Sequence, residues 1–164
     1  MVLSVSARVS VDERYASAYE ALWPDVFRFA LSWTNDWAAA EDLAQEAFAR
    51  LWRERDRLDW GDTVLPWLIV TTRRLAQDRF RALRRRLAGR HHGLAPATLE
   101  SAIADRWLDV RDAMATLAPL ERSALVLTAV DGHTYEEAAV LLGTTAGALR
   151  AAASRARRKL EDAR

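Results

Sequence analysis

The chain has 164 residues, 51% hydrophobic and 29% charged, enough to bury the cores of one or two small domains, and its net charge is only +1. It contains no cysteine, which excludes disulfide scaffolds, thiol nucleophiles and cysteine zinc sites and leaves His91, His92 and His133 as the only soft metal ligands. No apolar run approaches the ~18–20 residues that span a bilayer, and the opening MVLSVSARVS lacks the basic head, apolar core and cleavage site of a signal peptide. A globular cytoplasmic protein is expected, with no metal or other cofactor and no membrane insertion.

Apolar spacing is helical almost throughout and no alternating stretch is long enough for a sheet, so the fold class is all-α. A first helix is expected near residues 12–22 and a second near 24–33, with Pro24 suited to a first helical turn. Asn35-Asp36 breaks the pattern and caps a third helix over 37–58, with Glu41 and Asp42 in its early turns where carboxylates favour the helix dipole. The short loop Asp59-Trp60-Gly61-Asp62-Thr63 leads into a fourth long helix over 64–87. Gly89, Gly93, Pro96 and the His91-His92 pair mark residues 88–100 as a linker, dividing a four-helix domain (1–87) from a second domain (101–164). In the second domain a helix is expected near 102–117, and Pro119 opens another that Asp131-Gly132 ends near 130. Thr134 with Glu137 three residues on is a capping-box pattern, Gly143 stops that helix, and a last one runs over 145–162.

The small net charge hides a segregation. Residues 36–62 carry eight acids and four arginines, whereas residues 73–90 carry eight arginines and the single acid Asp78. Such a basic block suits a polyanion, and an Arg-rich supply suits phosphates and base edges, although a GC-rich genome also over-uses Arg. At about 100° per residue, Val70, Arg73, Arg74, Gln77, Arg81 and Arg84 fall on the arc opposite Leu68. Trp60 and Trp67 precede this stripe, and aromatic rings beside arginines are what single-stranded nucleic acid binds by stacking and neutralisation. Core burial of Trp67 fits its position equally well. The third helix is acidic and amphipathic: Leu43, Ala47, Phe48 and Leu51 suit a core, while Asp42, Gln45 and Glu46 form a rim that suits either a partner helix or plain solvent.

The two final helices read as a helix-turn-helix, with Ala139 small for close contact, Gly143 in the turn and Leu149 buried. Leu149, Ala153, Ala156 and Leu160 share one face, so Gly147, Ala151, Ser154, Arg155 and Arg158 face away. Ala148, Ala151, Ala152 and Ala153 leave the middle of this helix bare for a base reader, whereas Arg150, Arg155, Arg157 and Arg158 suit phosphates. An ordinary helical hairpin with a basic face is the other reading.

In order, the segments AEDLAQEAFARLWR (40–53), LPWLIVTTRRLAQDRFRALRRR (65–86) and LAPLERSALVLTAVDGHTYEEAAVLLGTTAGALRAAASRARRKL (117–160) resemble a bacterial RNA polymerase sigma factor of the extracytoplasmic-function (ECF) group, sigma-70 family. The resemblance implies a two-domain initiation subunit, with a region 2-like domain and a region 4-like helix-turn-helix domain, that binds core RNA polymerase and promoter DNA and is held by an anti-sigma factor. It implies that Asp42, Gln45, Glu46 and Trp52 dock on the polymerase and that the loop from Asp59 through Trp60, Gly61, Asp62 and Thr63 captures a flipped base of the minus-ten element. Trp67, Arg73, Arg74, Gln77 and Arg81 then match the helix that melts and reads that element. Thr145, Arg150, Ala151, Ser154 and Arg155, with Gly147 and Arg158 beside them on the same face, match the reader of the minus-thirty-five element. The chain departs from the family pattern at Ala151-Ala152, where a polar pair is usual, at Ala138, Thr144 and Ala153, where larger aliphatics are usual, and at Arg74, where Asn is usual. Smaller core residues bury less, at about 0.8 kcal/mol per missing methylene, so a less stable terminal domain is expected. The bare helix keeps open a second reading, a sigma-like interaction module with weakened base reading. No converging ligands and no nucleophile–base pair point to an enzyme or a small-molecule substrate.

Overall fold

The computed structural model describes residues 10–87 and 111–162; the opening nine residues, the linker expected at 88–100 with His91 and His92, and the first part of the helix expected from residue 102 lie outside them. Every regular element among the described residues is a helix: α1 (Val11–Thr34), α2 (Trp37–Glu54), α3 (Val64–Leu87), α4 (Pro119–Leu125), α5 (Tyr135–Leu142) and α6 (Ala146–Asp162). Residues 111–115 are helical as well, and α4 runs on as a π-helical turn over Val126–Val130.

The two helices expected before Asn35 are one. Helix α1 passes through Pro24, so the first unit is built of three long helices rather than four. A proline inside a helix removes one backbone hydrogen bond and costs about 3 kcal/mol. Here Pro24 faces solvent, and Tyr15, Tyr19, Trp23 and Phe27 recur every fourth residue across it. Tyr19 stacks on Trp23 at 5.1 Å and lies 4.8 Å from Phe48 of α2, while Phe27 lies 4.7 Å from Trp37. Each such pair contributes about 0.5–1.5 kcal/mol beyond its burial, so rings on both sides of the proline offset its cost. Ser10 and Glu13 form the capping box that starts α1, and Asn35, in the left-handed region at φ 51°, ends it. Asp36 then caps α2 by accepting from the Ala39 amide at 2.7 Å, as its position after the break suggests. Helix α2 stops at Glu54, short of residue 58, because the chain folds back for the Trp60 ring to donate its indole N–H to the Arg55 carbonyl at 2.9 Å.

Val26, Ala44, Ala47, Phe48, Leu51, Val64 and Leu68 form the core of this three-helix unit. A second cluster joins Phe29 of α1 and Ile69 of α3 to Ala124, Leu127, Ala138, Ala139, Leu142, Leu149, Ala152 and Ala153, so the terminal helices pack directly on the first unit. The seam is also polar. Arg122, buried on α4, donates to the carbonyls of Ser32 (2.5 Å) and Trp33 (3.2 Å) at the end of α1 and to those of Leu117 (2.6 Å) and Met114 (3.1 Å) in its own unit. Helix α1 has no basic residue in its last turn, and its C-terminal carbonyls receive their cation from the other half of the chain. Ser32 and Ser123 share a buried hydrogen bond at 2.9 Å, Asn35 donates to the Arg111 carbonyl at 3.2 Å, and Arg28 pairs with Asp131 at 2.9 Å.

Candidate nucleic-acid interface

Helix α5 is started by the Thr134–Glu137 capping box and ended by Gly143 at φ 60°, a left-handed position that suits glycine. The turn delivers Thr145, whose hydroxyl accepts from the Ala148 amide at 3.2 Å and so caps α6. Leu149, Ala152, Ala153 and Ala156 are sealed in the core. Two of the four alanines that made this helix look bare therefore pack inward, where a side chain of any reach has no room. The outward face consists of Thr145, Gly147, Ala148, Arg150, Ala151, Ser154, Arg155 and Arg158, all exposed. Its arginines are positioned from below: Arg155 and Lys159 both bond the buried Glu121 (3.2 and 2.8 Å), Arg157 reaches the Tyr135 hydroxyl at 3.4 Å, and Arg150 pairs with Glu136 while lying 5.4 Å above the Tyr135 ring. Small and flat at its start and cationic toward its end, the face fits a duplex groove flanked by phosphates.

On α3 the expected stripe divides in two. Arg74, Arg81 and Arg84 are exposed, Gln77 is half-buried, and Arg81 pairs loosely with Asp78 at 3.3 Å. Arg73 points instead into the seam. Its Nε is buried without a hydrogen-bond partner, and a Cβ added at Gly143 would lie 2.2 Å from its Nη1, so the turn glycine of the other unit also makes room for this guanidinium. Burial, helped by the neighbouring Arg74 charge, pulls the Arg73 pKa below its ordinary value. Phe80, unnoticed in the sequence, stands 55% exposed among these arginines.

A cleft of about 560 Å³ opens between α2 and α3, lined by Arg50, Arg53, Glu54, Arg57, Leu58, Trp67, Thr71 and Arg74. Trp67 is half-buried, packed on the first core with part of it at the cleft. Trp60, by contrast, is turned into the same core and tethered to Arg55, so it closes the loop rather than offering a free ring; Gly61, Asp62 and Thr63 remain exposed. The sequence reading missed Arg50, Arg53 and Arg57, although the spacing of Arg50 and Arg53 already places those two on one face of α2, with Arg57 in the turn that follows.

The acidic rim of α2 lies beside this cleft. Asp42 and Gln45 are exposed and Glu46 half-buried; Asp42 meets Arg79 of α3 at 3.1 Å, Gln45 donates to Glu41 at 3.3 Å, and Glu46 pairs with Arg50 (3.0 Å) and Arg53 (3.6 Å). The Arg50 hydrogen bond is the main reason the Glu46 carboxyl titrates below its usual range. Trp52, 38% exposed, is braced by Tyr15 at 4.8 Å and by the Arg55 guanidinium 4.0 Å above its ring.

Residues 18–86 match the family model described as Sigma-70 region 2, and residues 107–160 match Sigma-70, region 4. The chain belongs to the sigma-70 family of RNA polymerase sigma factors, in its extracytoplasmic-function group. Over 85% of its length it is 34% identical to the RNA polymerase sigma factor CarQ of Myxococcus xanthus, 82% of which is covered. It is 35% identical, over 92% of its length, to the probable RNA polymerase sigma factor RfaY of Xanthomonas campestris pv. campestris, and spans 40% of that longer protein. The structure of the sigma factor RpoE in complex with the anti-sigma factor NepR from Bartonella quintana resembles this fold with a TM-score of 0.74 at 25% identity, over 90% of this chain and 94% of that one. A sigma factor directs core RNA polymerase to promoters, and the region 4 match covers the helix-turn-helix of α5 and α6. The reading of the chain as a sigma-like interaction module without base reading is not favoured.

Proposed function

We propose that residues 1–87 form the unit that docks on core polymerase and opens the minus-ten element, and that residues 101–164 form the unit that holds the minus-thirty-five element, with residues 88–100 joining them. Asp42, Gln45, Glu46 and Trp52 contact the polymerase. The loop of Trp60, Gly61, Asp62 and Thr63 borders the captured strand, with Trp67, Arg74, Gln77 and Arg81 along its path and Arg73 joining once it is uncovered. Thr145, Gly147, Arg150, Ala151, Ser154, Arg155 and Arg158 face the duplex, mostly as phosphate contacts. The protein acts in the cytoplasm, without catalysis or cofactor of its own, and is restrained by an anti-sigma factor; the described part contains no helix long and apolar enough to cross a membrane.

One observation carries this reading: a single chain presents an arginine-lined cleft with an aromatic wall and, on a separate helix-turn-helix, an exposed groove-reading face. Single strands and duplex are thereby served by different elements, as promoter opening requires. Run-off transcription tests it, with the purified chain, bacterial core polymerase and sheared genomic DNA from its source. Discrete starts sharing two spaced upstream elements are expected. Core binding with no discrete start would return the lead to the interaction-module reading.

A further inference from the structure

The four arginines of the α2–α3 cleft are not equivalent. Arg50 and Arg53 lie 3.0 and 3.6 Å from Glu46, and Arg57 lies 3.5 Å from Glu54. Arg74 is exposed at the cleft, and no carboxylate lies within ion-pair distance of it among the described residues. Trp67, Thr71 and Arg74 are spaced by four and three residues, so they follow one strip of α3, while Arg50, Arg53 and Glu54 line the cleft from the end of α2 and Arg57 from the turn after it. The cleft therefore joins an unpaired guanidinium, one aromatic wall and one carboxylate. The Glu54–Arg57 pair is long and its side chains are 45% and 83% exposed, so the carboxylate is released at little cost.

This trio has a preferred base. Guanine presents two acceptors, O6 and N7, on one edge, which an arginine fork meets with two hydrogen bonds. Its other edge presents two donors, N1–H and N2–H, which a carboxylate accepts together. Adenine sets a donor beside N7 and refuses the fork, and thymine offers a carboxylate a single donor. Cytosine comes nearest, with O2 and N3 for an arginine and its amino group for a carboxylate, but it covers less of an indole and gives the carboxylate one bond instead of two. A volume of about 560 Å³ admits a purine nucleotide with its flanking phosphates beside Arg50, Arg53 and Arg57. We infer that this cleft captures an unpaired guanine of the opened promoter, with Arg74 as the specificity-determining residue on its O6/N7 edge, Glu54 on its N1/N2 edge and Trp67 against its face. The inference rests on the proposed reading of the cleft as a single-strand site and assigns the base that it takes.

The test uses the full chain assembled with core polymerase and a pool of single-stranded DNA randomised over a short central window, the bound fraction being sequenced. Guanine should be enriched at one position by about 5- to 100-fold, the discrimination of one bidentate pair. Arg74→Asn should abolish that preference. At the enriched position, 7-deazaguanine, which lacks the N7 acceptor, should weaken binding to the unsubstituted protein but not to Arg74→Asn. Inosine, which lacks the N2 amino group, should do the same with Glu54→Gln as the insensitive variant. Enrichment of another base, or 7-deazaguanine bound as tightly as guanine, overturns the guanine assignment while leaving single-strand binding intact. Failure of the complex to retain any strand overturns both the assignment and the reading on which it rests.

Discussion

Glu121 is nearly sealed from water and yet remains ionised. Its carboxylate accepts from Lys159 at 2.8 Å, from Arg155 at 3.2 Å and from the Ala118 amide at 2.9 Å, so one side chain ties the start of α4 to the last turns of the DNA-facing helix. The Lys159 bond is the main reason its carboxyl titrates below the ordinary range, against the opposing effect of burial. A depressed carboxyl contributes stability that is fully present above the unfolded value of about 4.3 and is lost as pH falls through the folded value. Glu121→Gln should therefore cost about 1–3 kcal/mol at neutral pH, the worth of hydrogen bonds to a charged group. Urea melts at a series of pH values check this: the variant should show a flatter acid limb below about pH 4.3. Parallel limbs would mean that the paired cations contribute nothing. The two cationic contacts were not legible beforehand, because Arg155 and Lys159 stand 34 and 38 residues away in sequence.

At the level of elements, local signals were readable wherever the chain makes its own caps. Asp36, the Thr134–Glu137 box and Gly143 delimit helices as their spacing suggests, and α3 spans Val64–Leu87 as expected. The misjudged boundaries have tertiary causes: α1 continues through Pro24 because its rings lean on α2, and α2 ends early because Trp60 folds back. The same holds for the candidate site. Periodicity placed the exposed face of α6 but left Ala152 ambiguous, and of the two tryptophans the ring that the sequence left open to core burial, Trp67, lines the cleft, whereas Trp60 is tethered to the Arg55 carbonyl. Helix α2 serves two neighbours at once, since Glu46 faces outward while holding Arg50 and Arg53 at the cleft rim. Reversing charge with Asp42→Lys and Glu46→Lys should release the protein from core polymerase, visible as loss of co-elution on a sizing column. Helical content should stay unchanged, because both side chains lie outside the core. Undiminished co-elution would remove the rim from the docking surface.

Across the whole molecule, the two units are clasped with Arg73 beneath the α5–α6 turn, an arrangement that no local pattern announced. For Arg73 to contact DNA, the units would have to part. The chain offers a clean way to prevent that. It has no cysteine, and the Ser32 and Ser123 hydroxyl oxygens lie 2.9 Å apart across the seam, near enough for side chains that a disulfide of about 2.05 Å joins with little adjustment. A Ser32→Cys/Ser123→Cys protein should lose run-off transcription when oxidised and regain it on reduction. Full activity in the oxidised form would show that initiation proceeds with the units closed.

Arg122 gives this closure an unusual dependence on the medium. Its guanidinium is held by four backbone carbonyls, beside a serine pair and an apolar cluster, so among the described residues the Arg28–Asp131 pair is the one ion pair across the seam that added electrolyte can weaken. Binding to a nucleic-acid strand, in contrast, releases condensed counterions, and its affinity falls steeply as their concentration rises. Ionic strength thus acts on the two states unequally. Added salt should therefore weaken strand binding more than it loosens the closed protein.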